Sequence, residues 1–273
     1  MACVYPLSGY RSKTVNENGK REIKFNPRDG DRNQPVDLPC GKCIGCTMDR
    51  AKVWGIRMYH EATLHKQNSF VTLTYDDDNC PENLNSEHLR LFIKSMRKHC
   101  KFRYFACGEY GTITRRPHYH AIIFGQDFLG NSFKINDELY VNPRLQSTWG
   151  RGLISIAPVN MATCMYVAGY VNKKAGDQDT FNRMSLRPGI GHGWLDKYAL
   201  DIENTETISI EGKEYGVPKK YLEWSPNRFH KIIDKRKEFI HDMSPDEKCK
   251  KRESLKSVEI TARAKLKLGK EKI

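Results

Sequence analysis

Residues 115–124 read RRPHYHAIIF, and no other stretch restricts the fold of this chain as much. His118 and His120 stand two apart at the head of an apolar run. In a β-strand, residues i and i+2 point to the same face, so both imidazoles project together. Nine residues upstream lies Glu109, in FACGEYG. A hairpin turning through the Gly- and Arg-containing residues 110–117 brings its carboxylate beside the two rings. Two imidazoles and one carboxylate make half a shell for a divalent ion, with positions left for substrate oxygens. Alone, a His-x-His pair is more often two satisfied polar side chains, so the neighbouring segments must decide.

Those segments read as a mixed fold. From Met48, the residues Ala51, Trp54, Met58 and Ala62 recur at helical spacing. Phe70–Tyr75 alternates apolar and hydroxyl residues, a strand that shows its threonines to one face. After the acidic turn DDDNCPEN, Ser86 can cap a helix whose stripe is Leu89, Phe92, Ile93, Met96 and Cys100. Strands are expected at Phe102–Cys107, His118–Phe124, Glu138–Val141 and Gly152–Ala157, with 125–138 a loop. That order predicts an α+β fold, an antiparallel sheet with helices packed on one face.

The next helix, capped by Asn160 and running through MATCMYVAGYVNKK, carries the second constellation. Tyr166 and Tyr170 are i and i+4, stacked on one face, and Lys173 and Lys174 extend that face by a turn. Cys164, Val167, Ala168 and Val171 form a separate apolar face. The helix thus has a packing stripe that excludes its tyrosines, which argues for a reactive role over a core role.

Near the N-terminus, LPCGKCIGC sets Cys40, Cys43 and Cys46 in a C-x2-C-x2-C run after a polar, turn-rich arm with little core of its own. Four tetrahedral ligands are usual for structural zinc, and Cys3 is the candidate for the missing fourth. An iron–sulfur cluster and free thiols are the competing readings. Nine cysteines in a chain of 273 residues fit a reducing compartment better than a disulfide framework. No secretory signal is recognised, and with a mean hydropathy of −0.68 no apolar run reaches membrane-spanning length.

The formal charge is +13, from 46 basic and 33 acidic residues, which points to a polyanionic partner, nucleic acid before membrane. From Pro218 onward, 17 Lys and Arg face 9 Asp and Glu. This reads as a basic, mostly helical tail, either a solvated face or a DNA clamp. Residues 199–217 read as a polar linker holding a hairpin, and RPGIGHGW as a tight loop. Three parts result: an arm with a Cys-rich knuckle over 1–47, a catalytic domain over 48–198, and linker plus tail over 199–273.

Taken together, LPCGKCIGC, FVTLTYDD, CGEYG…RPHYHAIIFG, YVAGYVNKK and MSLRPGIGHGW, spread in order over residues 40–194, resemble the HUH endonucleases, the rolling-circle replication initiators. The likeness is nearest to the initiators of microvirus and gokushovirus single-stranded-DNA phages. It implies an RRM-like or ferredoxin-like core, with His118, His120 and Glu109 holding Mg²⁺ or Mn²⁺. Tyr166 and Tyr170 become paired nucleophiles and Lys173 their helix lysine, while Gly169 replaces an expected basic residue. The implied reaction nicks one strand, leaves a 5′-phosphotyrosine and a free 3′-OH, and rejoins the displaced strand into a circle. Implied partners are single-stranded DNA, a double-stranded origin and a host helicase or polymerase, in the cytoplasm of a bacterial host. Two other classes compete: a 2-His-1-carboxylate iron enzyme, and a zinc-knuckle nucleic-acid-binding protein without chemistry.

Overall fold

The structure, a computed structural model, describes residues 3–17, 19–111, 114–170, 180–241 and 245–270. By internal contacts the chain forms two compact units, Met1–Asp49 with Ile240–Ile273, and Arg50–Phe239, where three consecutive parts were expected. The elements in chain order are β1 (Leu7–Ser12), β2 (Ile23–Lys24), β3 (Gly30–Leu38), α1 (Ile44–Thr63), β4 (Asn68–Tyr75), α2 (Ser86–Met96), β5 (Arg103–Tyr110) and β6 (Pro117–Phe124). They continue with β7 (Phe133–Lys134), β8 (Tyr140–Val141), α3 (Pro143–Trp149), β9 (Gly152–Ala157), α4 (Met161–Tyr170) and β10 (Phe181–Met184). Last come α5 (His192–Thr205), β11 (Thr207–Ile210), β12 (Lys213–Gly216), α6 (Lys219–Trp224), α7 (His230–His241) and α8 (Pro245–Lys270).

The larger unit is built on a seven-stranded sheet in the order β10-β5-β6-β4-β9-β8-β7, with every neighbouring pair antiparallel. The expected α+β class is observed, but helices cover both faces rather than one. The period of two explains this. On β4, Val71, Leu73 and Tyr75 turn to one face, where Tyr119, Ala121 and Ile123 of β6 join them beneath α2 and α3. The intervening residues of β5 and β6, Phe105, Cys107, Ile122 and Phe124, turn to the other face and meet α1 and α4. Central strands buried on both sides lose the polar alternation that marks a one-sided sheet.

Several boundaries differ from the sequence reading for local reasons. Asn85, not Ser86, caps α2, its side chain accepting from the Glu87 amide at 2.9 Å. Within 125–138, the short β7 pairs with β8. Residues 199–217 do carry the expected hairpin, yet they are no polar linker. Ile208, Ile210 and Val217 are buried with Leu195, Ala199, Ile202 and Tyr221 in a second core.

The smaller unit corrects the expectation of an arm without core. Its N-terminal residues form a three-stranded antiparallel sheet, β2-β1-β3. Val4, Cys43 and Cys46 are buried together, with Cys3, Cys40 and Leu255 of α8 against them. Among the described residues no helix is long and apolar enough to cross a membrane.

Candidate active site

The β5–β6 hairpin sets Glu109 directly opposite His118, and Cys107 opposite His120. On the next strand, Thr74 faces His118 and Thr72 faces His120. The Nε2 atoms of His118 and His120 converge on one oxygen, Glu109 Oε1, at 2.9 and 3.1 Å. The other ring nitrogens are held by the chain. His118 Nδ1 lies 3.1 Å from the Arg116 carbonyl, and His120 Nδ1 lies 3.1 Å from Thr72 Oγ1. A carbonyl oxygen can only accept, so His118 carries its hydrogen on Nδ1 and offers the Nε2 lone pair.

Lone pairs and a carboxylate oxygen turned toward one another require a cation between them. All three ligand atoms lie within 4.8 Å of one another. Glu109 and His120 are buried, so the cluster is largely dry on the protein side. The donor set fits a divalent ion that takes oxygen and nitrogen and keeps other positions for water or substrate, with the imidazoles favouring Mn²⁺ over Mg²⁺. Outer partners such as Thr72 fix the ring planes of such ligands.

Helix α4 brings the tyrosines to this cluster. Asn160 caps it as expected: its Oδ1 accepts from the Thr163 amide at 2.9 Å, and its own amide donates to Thr163 Oγ1 at 2.9 Å. Cys164, Val167 and Ala168 are fully buried, which turns the opposite side toward the histidines. Tyr170 stacks on His120 with ring centroids 5.3 Å apart, while Tyr166 meets the same ring edge-on at 5.2 Å. The two phenol rings are 4.9 Å apart, and Tyr166 is 47% exposed. Burial raises the pKa of both phenols. For Tyr170, hydrogen bonds to Tyr166 and Glu109 and the charge of Glu109 add to that rise. For Tyr166, the bond from Tyr170 opposes it. Lys173, with Val171 and Lys174, lies outside the described residues.

The four cysteines assemble in the smaller unit. Cys3, Cys40, Cys43 and Cys46 place their sulfurs within 4.8 Å of one another. The Cys3–Cys43 separation is 3.8 Å, the spacing of about 3.8 Å that Zn–S bonds of about 2.3 Å impose on a tetrahedron. Backbone amides support the sulfurs: Cys40 N donates to Cys3 Sγ at 3.2 Å, Cys43 N to Cys40 Sγ at 3.3 Å and Val4 N to Cys43 Sγ at 3.4 Å. Burial alone would push Cys43 up, but amide donors from Cys46 and Val4 bring its pKa down to about 6. Burial drives Cys46 the other way, to about 12. Four thiols with amide donors suit zinc and leave no position for substrate.

Sequence reasoning passed over three contributors at the first site. Thr72 holds His120, the Arg116 carbonyl holds His118, and the Phe70 ring lies 5.5 Å from His120 and 6.0 Å from Tyr166. The alternation of FVTLTY put the threonines on one face. It carried no signal of which strand that face would meet.

A family model for replication-associated protein ORF2 matches residues 68–175, the span from β4 through α4 that holds Glu109, both histidines and both tyrosines. A replication-associated protein, VP4, of Bdellovibrio phage phiMH2K is 31% identical over 216 residues, covering 68% of this chain and 67% of that relative. The chain belongs to this family of replication-associated proteins. The resemblance to microvirus-type rolling-circle initiators is thereby borne out, and with it a part in initiating rolling-circle replication. Replication-associated protein ORF2 of Spiroplasma virus 4 is 29% identical over 278 residues, 88% of this chain and 87% of its own length. ORF4 of Chlamydia phage 1 is 30% identical over 209 residues, 67% of this chain but 52% of that relative. No solved structure matches the chain.

Proposed function

We propose that the protein starts replication by cutting one DNA strand with a tyrosine and later rejoining the displaced strand into a circle. The observation that carries this reading is the contact of two phenol rings with His120, itself on the Glu109 oxygen. A structural pair of tyrosines would face the core, whereas Tyr166 is open to solvent on the side away from the buried stripe of α4.

Glu109, His118 and His120 hold the divalent ion, Mg²⁺ or Mn²⁺. When bound, the ion stabilises the negative charge that builds on the phosphate oxygens and orients the phosphate for in-line attack. The remaining work falls to the chain. A tyrosine gives up its hydroxyl proton, Oη bonds to phosphorus, and the bond from phosphorus to the 3′ oxygen breaks. That oxygen takes up a proton and leaves as a free 3′-OH, ready to prime synthesis. The phosphotyrosine retains the phosphodiester energy, so rejoining by a 3′-OH needs no nucleotide cofactor. A second phenol 4.9 Å from the first can cut the regenerated junction while the first still carries a DNA end. Lys173 offsets charge on the attacking or departing oxygen. The four cysteines hold zinc and stabilise the smaller unit, and basic surface supplies salt-sensitive affinity for single-stranded and origin DNA.

The test is a labelled single-stranded origin oligonucleotide incubated with Mn²⁺ and resolved on a denaturing gel. A covalent protein–DNA band is expected, absent in Tyr166→Phe/Tyr170→Phe. A mobility shift without cleavage would leave a DNA-binding module. Activity that needs Fe(II) and dioxygen and survives loss of both tyrosines would point to an oxygenase.

A further inference from the structure

A cavity of about 400 Å³ lies at the opposite end of the sheet from the Glu109 cluster. It opens between the end of α2, the loop after β6 and α3, and its Met96 and Leu145 belong to the core on the sheet face that the histidines do not occupy. From His118 to Phe124, β6 alone separates the two places by about 20 Å. The cavity is of a size that takes a small ligand.

Its walls carry three kinds of chemistry. Arg144 donates from Nη2 to His99 Nδ1 at 3.4 Å, which sets a guanidinium beside an imidazole. Among the described residues no carboxylate pairs with Arg144. Phe128 and Met96 supply apolar surface, and the amides of Gln67 and Gln126 supply donors and acceptors. Asp127 is the one acid among the lining residues, and it is engaged by the Leu129 amide at 3.1 Å. The surroundings are basic, with Lys66, Lys98 and Lys101 exposed next to lining residues in the chain.

The loop is also built to hold its shape. Phe128 has φ 55°, a left-handed conformation that a bulky residue rarely takes. Buried Asn142 donates to the carbonyls of Phe128 and Gly130 at 2.9 and 3.0 Å, and its oxygen accepts from the Leu145 amide at 3.0 Å. One side chain therefore locks the loop and caps α3.

We propose that this cavity is a second nucleotide site, holding one unstacked nucleotide with its phosphate on Arg144 and His99 and its base against Phe128. The nucleotide is either free or one residue of a DNA strand. The site uses neither the divalent ion nor the tyrosines, so it stands apart from the nicking reading. Full-length protein without added Mg²⁺ or Mn²⁺ is titrated with 2′-deoxyadenosine 5′-monophosphate by calorimetry, and with a fluorescein-labelled single-stranded dodecamer by anisotropy. Arg144→Gln is expected to weaken binding about tenfold, and Phe128→Leu several-fold through loss of the aromatic face. Arg144→Lys should recover part of the loss, and unchanged melting temperatures identify folded variants. A loss with the monophosphate assigns a free nucleotide, and a loss confined to the dodecamer assigns a strand residue. Unchanged affinity of both probes for Arg144→Gln and Phe128→Leu overturns the site. Because Glu109→Gln should show the same cavity effects, a failure of the nicking chemistry would not imitate a failure here.

Discussion

The two candidate metal centres differ in donors and in what surrounds them. In the larger unit two nitrogens and a carboxylate oxygen converge from paired strands, and the space beyond them is lined by Tyr166, Tyr170 and Phe70. In the smaller unit four sulfurs face one another, with backbone amides behind them and Val4 packed alongside. A site with three mixed donors keeps coordination positions for a reacting phosphate. A site with four thiolates closes the tetrahedron and has only folding free energy to offer. Hydrophobic packing around the cysteines is small, as expected where a metal substitutes for core. Around the histidines a complete two-faced sheet exists without the ion.

If that contrast holds, the ligands of the two centres should fail differently when altered. The largest effect is expected from Glu109→Gln. The amide keeps the shape but loses the charge, so adduct formation should fall by about three orders of magnitude or more, as for loss of a key electrostatic group. The melting temperature and bound zinc should stay near wild type. Gel assay, calorimetry and metal analysis on one preparation check this, and a joint collapse of all three would erase the contrast.

Cys43→Ser comes next, with the opposite pattern. Zinc stoichiometry should drop, and amides of β1–β3 should exchange faster, while the larger unit still forms its covalent adduct. Metal binding at structural thiolate sites is worth on the order of 10 kcal/mol near neutral pH, so loss of local order should be plain. The pH sign follows from Cys43. Its folded metal-free pKa is depressed to about 6, so the thiolate is present above that pH and is lost as pH falls through it. Zinc uptake should therefore weaken on acidification below about pH 6 (read from zinc titrations at fixed ionic strength).

A smaller effect tests the outer support of the open site. Thr72→Val preserves a β-branched strand residue but removes the hydroxyl 3.1 Å from His120 Nδ1. Metal affinity or adduct rate should fall about 10- to 100-fold, the usual consequence of removing a partner that orients a ligand. Unchanged values would mean that strand geometry alone aims the ring.

Thr72 also marks the limit of what the sequence could tell. The His-x-His spacing and the hairpin back to Glu109 follow from the two-residue period and were readable. So was the split of α4 into a packed face and a tyrosine face. Sheet order was not, because nothing in FVTLTY names its neighbour; β4 reaches β6 only by way of the crossover through α2. The second core was hidden for a related reason. Its apolar residues, Ile208, Ile210, Val217 and Tyr221, are scattered among charges in short elements, and become contiguous only when the hairpin folds against α5. The triplet Arg57, His60 and Glu61 on α1 is polar in sequence and buried in the fold, because Glu61 accepts from Arg103 at 2.6 Å and from the Gly191 amide at 2.7 Å.

The smallest expected effect concerns the helix that delivers the tyrosines. Gly169, between Tyr166 and Tyr170 in the last described turn of α4, has no heavy atom within 4 Å of where a Cβ would stand. Its φ is not in the left-handed region, so neither packing nor backbone conformation calls for glycine there. Gly169→Ala should then stabilise the protein by about 0.5–1 kcal/mol, from reduced chain entropy and better helix propensity. Thermal melts would read this as a rise of a few degrees at most. Adduct formation is the informative half of the measurement. If the open site works as a fixed arrangement of rings on His120, a stiffer helix leaves the rate as it was. A rate that falls while stability rises would show that the tyrosines must move to reach the phosphate, a freedom the four-sulfur centre has no use for.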